Sequence, residues 1–413
     1  YSSRPTFWVA GYLAGRSNNV FYIKSTSPRF KTYRALLHKT LNQIYRPSAS
    51  PDGKSANNCQ QHYLLETPDD FIAHVRRNAV ALVMRVPYGY QVKSTDDKFV
   101  NILEETFALS GSINTPSKYW VEFLPLCAFG FTADGEYIAH VLLFQMTGKL
   151  RRLDIVPFNW AISQVSTGSY EESFISDHIY DKGFAPTEEE REDILRWCAA
   201  ALYFWGGDTT VSVMTTFFLL MTCHPDVQQR AREEIDSVLG GNWATHDDLP
   251  SLPYVNAMIK EIMRWGPVVP LGIPHQTTED DGFNGYFIPK DTRVVANIWG
   301  MAYDENVYPN PTKFDPTRFL GEHPQMDPLK YVFGFGRRIC PGLHLAEASI
   351  FLNLANILAN FTISKKCGPD GQGIEPEANW MPGLTVHLQL FLCKVTPRSP
   401  EALRAMLAGS KHA

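Results

Sequence analysis

One cysteine near the C-terminus lies in a loop whose composition favours a thiolate. Residues 333–342, FGFGRRICPG, surround Cys340 with glycines, aromatic residues and two arginines. Pro341 and Gly342 then lead into an apolar helical pattern, and both a helix N-terminus and nearby cations favour a thiolate. Glycines let the backbone approach a flat group or point N–H groups at the sulfur. The alternative, a structural cysteine in a turn, explains fewer of these features.

A second segment, YFWGGDTT at residues 203–210, interrupts a long apolar helical pattern with two glycines, an acid and two threonines. Adjacent glycines inside a helix cost up to roughly 2 kcal/mol relative to alanine, so this composition indicates a functional reason. The carboxyl group of Asp208 and the hydroxyl group of Thr209 can relay protons or orient water. Irregular helical turns often mark functional sites. The alternative is a kinked core helix with an incidental aspartate.

Two oppositely charged side chains lie one helical turn apart, and an arginine follows further along the chain. Glu261 and Arg264 are three residues apart in a predicted helix, and Arg318 follows in the segment FDPTRF. A carboxylate held between two guanidinium groups has enough donors to satisfy both of its oxygens. Taken alone, Glu261 and Arg264 are an ordinary surface pair of the kind found on most helices.

The amino-acid composition is that of a globular protein and gives no sign of a nucleic-acid-binding or disulfide-rich one. The 413 residues are 44% hydrophobic and 20% charged, which is typical of a globular chain with a sizeable core. A net charge of −5 gives no reason to expect a nucleic-acid partner. Seven scattered cysteines without a C-x-x-C pair argue against a zinc site and a disulfide framework. The apolar run at 199–223 has Asp208 near its centre, which favours a buried helix over a membrane span.

Hydrophobic periodicity and capping signals predict a mainly α chain with a small β part near 270–300 and 385–395, folded as a single domain over 1–413. The predicted helices cover residues 27–45, 67–90, 187–223, 225–239, 251–265 and 341–361. Thr187 and Glu190 have capping-box spacing. Alternation around Lys290 and Asp291 predicts a hairpin, and residues 385–393 have a strand-like pattern. Residues 110–167 allow either strand or helix.

The cysteine loop matches the F-x-x-G-x-R-x-C-x-G heme-binding motif, and the chain thereby resembles the cytochromes P-450. The matching residues are Phe333, Gly336, Arg338, Cys340 and Gly342. The resemblance implies a triangular prism of helices around heme b, with Cys340 as the axial ligand of the iron. A thiolate ligand pushes electron density towards the iron and favours O–O cleavage. The resemblance also implies that Glu261, Arg264 and Arg318 form the buried Glu–Arg–Arg network that holds the heme-loop side of the fold together.

The segment at 206–210 resembles the A/G-G-x-D/E-T-T motif of the family's long helix over the heme. The resemblance implies that Asp208 and Thr209 deliver protons to bound dioxygen, and that Gly206 lets the helix pass close to the porphyrin. Cations are expected at the two heme propionates. The resemblance offers Arg338, Arg34 and His275, while Phe30 stands where the family usually has a tryptophan.

The sequence departs from the family pattern at the tryptophan before these glycines. The family normally has alanine or glycine at the position of Trp205. Residues i and i+4 share a helix face, so Trp205 is expected near Thr209, lining the distal pocket. Phe204 is a second candidate for the substrate pocket. Residues 125–150 do not resemble the family segment that shapes the substrate roof, so the substrate itself is not indicated.

The resemblance implies a monooxygenase that inserts one oxygen atom from O2 into an apolar organic substrate with electrons from NADPH. NADPH–cytochrome P-450 reductase is the expected partner, docking on the Cys340 side, where Arg337, Lys31 and Lys39 could form a basic patch. The closest resemblance is to fungal microsomal members of secondary metabolism. We expect an N-terminally shortened chain without the anchor and first strands, and a full-length form on the cytoplasmic face of the endoplasmic reticulum membrane.

Two other functions are compatible with the heme loop. One is a heme-thiolate isomerase or dehydratase that does not use O2. Asp208 and Thr209 argue against it, because such an enzyme has no use for proton delivery to dioxygen. The other is an inactive, truncated fragment, suggested by the shortened N-terminus and by Trp205.

Overall fold

Helices make up most of the structure, a computed structural model that describes residues 1–44, 63–92, 94, 96–114, 118–122, 124 and 135–409. The α-helices of these residues are α1 (Pro28–Ile44), α2 (Phe71–Tyr88), α3 (Lys98–Asn114), α4 (Gly135–Thr167), α5 (Phe174–His178), α6 (Glu188–Cys223), α7 (Pro225–Leu239), α8 (Pro253–Trp265), α9 (Ile298–Ala302), α10 (Leu329–Val332), α11 (Leu343–Asn360) and α12 (Pro400–Gly409). The predicted mainly α class is confirmed. Of the ambiguous stretch at 110–167, residues 135–167 are helical, whereas residues 125–134 lie outside the described residues.

The β part consists of short antiparallel pairs. The strands are β1 (His275–Gln276), β2 (Asp281–Phe283), β3 (Tyr286–Ile288), β4 (Arg293–Val294), β5 (Phe361–Ser364), β6 (Trp380–Met381), β7 (His387–Leu388) and β8 (Lys394–Pro397). They pair as β1 with β4, β2 with β3, β5 with β8, and β6 with β7. The pattern at 385–393 therefore forms only a two-residue strand, and β8 follows it.

The hairpin predicted around Lys290 and Asp291 is wrong. Strand β3 pairs with the preceding strand β2, and β4 pairs with β1. The turn between β2 and β3 is Asn284–Gly285, with φ of 49° and 82°. Two successive positive φ angles are what a tight hairpin turn requires, and Asn-Gly is the strongest sequence signal for it. This signal was present in the sequence and should have outweighed the alternation that follows it.

Helix α6 is the element around which the rest is packed. It begins after Thr187, whose Oγ1 accepts a hydrogen bond from the Glu190 amide at 3.2 Å. The N-terminal half packs in one apolar cluster with α1 to α4, and the C-terminal half in another with α7, α8 and α11. Residues 211–222 are buried on every side, as expected of a helix that passes through a core. No helix of the described residues combines the length and apolar character needed to cross a bilayer.

Gly206 allows α6 to lie directly against α2. A Cβ atom at Gly206 would come within 2.6 Å of Cγ1 of Val83. Valine has few alternative rotamers in a helix, so it cannot easily move away. The sequence predicted that this glycine brings α6 close to a porphyrin. The close contact that the structure contains is with Val83 of the neighbouring helix, and that contact alone accounts for a glycine at this position.

The structure brings the three predicted network residues together around one carboxylate. Glu261 and Arg264 of α8 are fully buried. Arg264 donates from Nε to Oε2 at 2.7 Å and from Nη2 to Oε1 at 2.9 Å, and Arg318 donates from Nε to Oε1 at 3.0 Å. The amide of Asp315 donates to the same Oε1 at 2.9 Å. Four hydrogen bonds therefore offset the desolvation of the Glu261 charge.

Arg264 and Arg318 also form hydrogen bonds with the chain that precedes the cysteine loop. Arg264 donates from Nη1 to the Ala302 carbonyl at 2.8 Å. Arg318 donates to the Lys313 carbonyl at 3.0 Å and to Oε1 of Gln325 at 2.8 Å. Helix α8 is thus tied to three points between residues 302 and 325, and these contacts fix where the chain enters the loop.

Replacement of Glu261 by glutamine tests this cluster. The amide has one acceptor oxygen and no charge, so Arg264 and Arg318 would remain buried without a counter-ion. We expect the free energy of unfolding to fall by about 3–5 kcal/mol. Urea denaturation followed by circular dichroism measures the change. Lys313→Ala, which removes one partner of an exposed pair with Asp315, is the control and should cost less than about 1 kcal/mol. Equal losses in the two variants would contradict the role of Glu261.

Replacement of Gly206 by alanine tests the contact between α6 and α2. The added methyl group would collide with Val83, and overpacking of this kind costs about 1–3 kcal/mol. Gly148→Ala in α4 is the matched control, because nothing lies within 4 Å of a Cβ there, and we expect it to be neutral or stabilising. Thermal unfolding compares the two. The double variant Gly206→Ala, Val83→Ala should recover part of the loss, and a stable single variant would refute the explanation.

Candidate functional site

Backbone conformation fixes the position of Cys340. Gly334 and Gly336 have φ of 82° and 53°, in the left-handed region that favours glycine. The loop closes through a hydrogen bond from the Cys340 amide to the Phe333 carbonyl at 2.7 Å. Gly342 is the N-cap of α11. The cysteine therefore lies just before a helix, with its side chain partly buried.

Burial raises the pKa of the Cys340 thiol, while a hydrogen bond from the Gly342 amide and the positive charge of Arg34 lower it. The arginines of the loop itself were predicted to supply the cations near this sulfur. The structure instead brings Arg34 from α1, which donates from Nη1 to the Ile339 carbonyl at 2.8 Å. A raised thiol pKa means that a metal ion must displace a proton to take the sulfur as its ligand.

Arg338 faces the N-terminal segment instead of the sulfur. It donates from Nε to the Ser2 carbonyl at 2.8 Å and from Nη2 to the Ile23 carbonyl at 2.6 Å. Its guanidinium carbon lies 4.0 Å from the centre of the Phe30 ring. Phe30, where the family usually has tryptophan, thus provides a cation–π surface for Arg338.

Sequence analysis missed Arg4, which is buried beside Arg338. Arg4 donates from Nη1 to the carbonyls of Ile273 and Pro274, at 2.6 and 2.9 Å. Burial, and then the charge of Arg338, lower the pKa of Arg4 to about 9. His275 is next to this group, with Nδ1 2.6 Å from the Tyr1 carbonyl oxygen, and its pKa is lowered by burial and by Arg4. No local signal marks Arg4 in the sequence, because two of its partners, Ile273 and Pro274, lie about 270 residues away and the third, Phe21, is contacted through its backbone carbonyl.

The three arginines form a cationic cluster without a counter-ion. Burial lowers the pKa of Arg34 and of Arg338, and neighbouring arginines lower that of Arg338 further, to about 10. Among the described residues no carboxylate pairs with Arg4, Arg34 or Arg338. Cations that repel each other in a partly buried site favour an anionic ligand, and guanidinium groups suit carboxylates. A group with two carboxylates and an iron that takes a thiolate therefore fits these residues.

Asp208 and Thr209 are adjacent in α6 but have separate partners. Asp208 is buried, with Oδ1 2.9 Å from Nε2 of His387, and its Oδ2 accepts a hydrogen bond from Oγ1 of Thr385. Thr209 donates from Oγ1 to the Trp205 carbonyl at 2.8 Å. The acid is therefore held by the chain near β7 and not by the neighbouring threonine. Sequence analysis missed both partners of Asp208, although a histidine was visible in the segment TVHLQ.

Trp205 packs against the N-terminal segment. Its ring centre lies 4.6 Å from that of Phe21 and 5.4 Å from that of Phe204. Trp205 and Phe204 also line a water-sized cavity of about 10 Å³ with Arg16 and Asn19. The indole is partly exposed and is not enclosed in the core. Its place in a distal pocket remains a prediction.

The three cations predicted for a basic patch are exposed. They are Arg337, Lys31 and Lys39. Arg337 also donates from Nε to Oγ of Ser2 at 3.2 Å, so it too contacts the N-terminal segment.

Comparisons with known proteins agree with this arrangement. The family model described as Cytochrome P450 matches residues 68–390. The chain is 38% identical over 344 residues to cytochrome P450 monooxygenase ple1 of Rhodocybe pseudopiperita, covering 82% of this chain and 66% of that protein. It is 36% identical over 420 residues to cytochrome P450 monooxygenase 208 of Postia placenta, covering 97% of this chain and 78% of that protein.

A solved structure of a zebrafish cytochrome P450 with abiraterone shares the fold. The TM-score is 0.76 at 21% identity, over 96% of this chain and 88% of that one. At this identity the likeness shows the fold alone, and it confirms the fold predicted from the heme-binding motif. By family match, fungal relatives and fold, the chain belongs to the cytochrome P450 family, among its monooxygenases.

Proposed function

We propose that this chain binds heme b through Cys340 and inserts one oxygen atom from O2 into an apolar organic substrate, using electrons from NADPH. The observation that carries the proposal is the cluster of Arg4, Arg34 and Arg338 beside Cys340, which has no counter-ion among the described residues. Buried cations of this kind are costly without an anion. The two propionates of heme would supply that anion.

The residues divide into those that hold the cofactor and those that shape its loop. Cys340 would ligate the iron, and the three arginines with His275 would bind the propionates. When bound, a heme with an axial thiolate supplies the activation of dioxygen. The loop residues Phe333, Gly336 and Gly342 would position the thiolate through the backbone conformation described above.

Proton supply would come from α6. The Thr209 hydroxyl donates to the Trp205 carbonyl, so its oxygen remains able to accept a hydrogen bond from water or substrate. Donation by this hydroxyl towards a reacting oxygen requires it to leave that carbonyl. Asp208 would provide the proton, and its burial keeps the carboxyl group out of bulk water.

Two aromatic residues of α6 would limit the substrate. Trp205 presents a large ring where the family normally has alanine or glycine, and Phe204 adds a second ring next to it. Such a wall favours flat or slender apolar molecules and takes up space above the heme. We assign both to the substrate pocket.

The remaining assignments concern the whole protein. We propose that residues 1–413 form one heme-binding unit, and that a reductase for NADPH electrons docks near Cys340 on Arg337, Lys31 and Lys39. The full-length protein would be held at the cytoplasmic face of the endoplasmic reticulum membrane and would serve fungal secondary metabolism.

A second candidate function, a heme-thiolate isomerase or dehydratase that does not use O2, is favoured by one observation. Both oxygens of Asp208 are bonded to Thr385 and His387, away from Thr209. Oxygen and NADPH consumption in the presence of a converted substrate separates the two. Conversion without either would favour this candidate.

The spectrum of the reduced, carbon-monoxide-bound protein tests heme ligation. The wild-type protein should bind heme and show a Soret band at the position typical of thiolate ligation, because Cys340 is the axial ligand. Cys340→Ser should lose this band. Cys367→Ser, at an exposed cysteine, is the control and should keep it. A wild-type protein that takes up no heme would indicate an inactive fragment.

Trp205→Ala tests the pocket wall. Removal of the indole should admit bulkier substrates, and an apolar pocket discriminates size by about 1–3 kcal/mol, so we expect the preference for a bulky over a small ligand to rise about tenfold. Optical titration of ligand binding measures the ratio of affinities. Trp299→Ala, at an exposed tryptophan, is the control. An unchanged ratio in the Trp205 variant would place the indole outside the pocket.

A further inference from the structure

The buried carboxylate of Asp208 is held entirely by one short segment near the C-terminus. Its Oδ2 accepts from Thr385, and its Oδ1 lies 2.9 Å from Nε2 of His387. We propose that His387 is the positioning residue for Asp208 and the inlet through which protons reach it from solvent. The proposal rests on the monooxygenase function proposed above, because only dioxygen chemistry requires a resupplied acid at this position.

The segment that carries His387 is fixed to α6 at a second point. Ser212, one helical turn beyond Asp208, donates from Oγ to the Val386 carbonyl at 2.7 Å. The Val386 amide donates to the Val268 carbonyl at 2.9 Å, next to the end of α8. His387 is also opposite Met381 in the β6–β7 pair. These contacts fix the backbone on both sides of His387, and they thereby keep its imidazole next to the carboxylate of Asp208.

Exposure rises from the acid to the histidine. The side chain of Asp208 is 8% exposed and that of His387 is 23% exposed. Nε2 of His387 contacts the carboxylate, whereas Nδ1 has no hydrogen-bond partner among the described residues. The imidazole therefore connects a buried carboxylate with a partly solvated position. The Thr385 hydroxyl occupies the other carboxylate oxygen, Oδ2.

An imidazole can pass a proton because it has two ring nitrogens. Nδ1 takes a proton from hydronium in the solvent, which leaves a water molecule, and Nε2 gives its own proton to Oδ1 of Asp208. The ring is neutral again, with the proton on the other nitrogen, and the carboxylate has become a carboxylic acid. No oxidant or reductant is needed. Loss of the negative charge also weakens the hold of His387 on Oδ1, so the protonated acid is freer to turn towards Thr209.

His387→Gln separates holding from proton transfer. The glutamine amide can donate from Nε2 to Asp208 but cannot pass a proton. We expect product formed per NADPH to fall at least about tenfold, because general acid catalysis contributes factors of this size or larger. Hydrogen peroxide should rise correspondingly, while substrate affinity from optical titration stays within about twofold. His323→Gln, at an exposed histidine, is the control. If His387→Gln forms as much product per NADPH as the wild-type protein, His387 is not the inlet for protons.

A measurement without turnover tests the contact itself. Hydrogen–deuterium exchange of residues 383–389 should be faster in Asp208→Asn, which cannot accept from both His387 and Thr385 as the carboxylate does. It should stay at the wild-type rate in His387→Gln. Unchanged exchange in Asp208→Asn would show that the carboxylate does not hold this segment, and the proposal fails. If the two variants show this exchange pattern but the wild-type protein consumes no NADPH, the proposed function fails and the contact between Asp208 and this segment stands.

Discussion

The buried carboxylate of Glu261 is the charge on which the surrounding structure depends. It is fully buried, where an isolated ion is very costly, and it is stable there because four donors converge on it. Two of these donors belong to Arg264 of α8, and the other two belong to Asp315 and Arg318, which lie in the chain before the cysteine loop. The cluster therefore does more than neutralise charge, since it holds α8 and the chain before the cysteine loop in one fixed arrangement.

A second group of arginines differs from those around Glu261 in the partners of its guanidinium groups. Around Glu261 the guanidinium groups have a carboxylate, whereas within the described part of the chain the partners of Arg4, Arg34 and Arg338 are carbonyl oxygens and, for Arg338, an aromatic ring. Carbonyl groups satisfy the donors but leave the charges unbalanced. One cluster is thus balanced in itself and serves stability, while the other would be balanced by the anionic ligand proposed above. The same residue type is therefore present in two different electrostatic settings.

Much of this could be predicted from local sequence, and the failures have a common cause. Cys340, Asp208 and Thr209 could be singled out as candidates because unusual residue types are close together in the chain. Helices α1, α6 and α8 were found from periodicity and their end signals. Arg4 and His387 were missed because Pro274 and Asp208, with which they interact, are distant in sequence, and the contact of Gly206 with Val83 was missed because Val83 lies on another helix. The hairpin error is different, since Asn284 and Gly285 carried an adequate local signal.

The N-terminal segment has a consequence for how the protein acquires its cofactor. Its residues contact Arg338 across 336 positions of sequence, and Arg4 reaches the Ile273 carbonyl across 269. Contacts this remote form late, because a long loop must close before they contribute any stability. The cationic cluster beside Cys340 therefore cannot exist in a partly synthesised chain. Heme capture would be among the last events of folding, and a shortage of heme would leave a nearly folded protein whose repelling arginines hold its final contacts open.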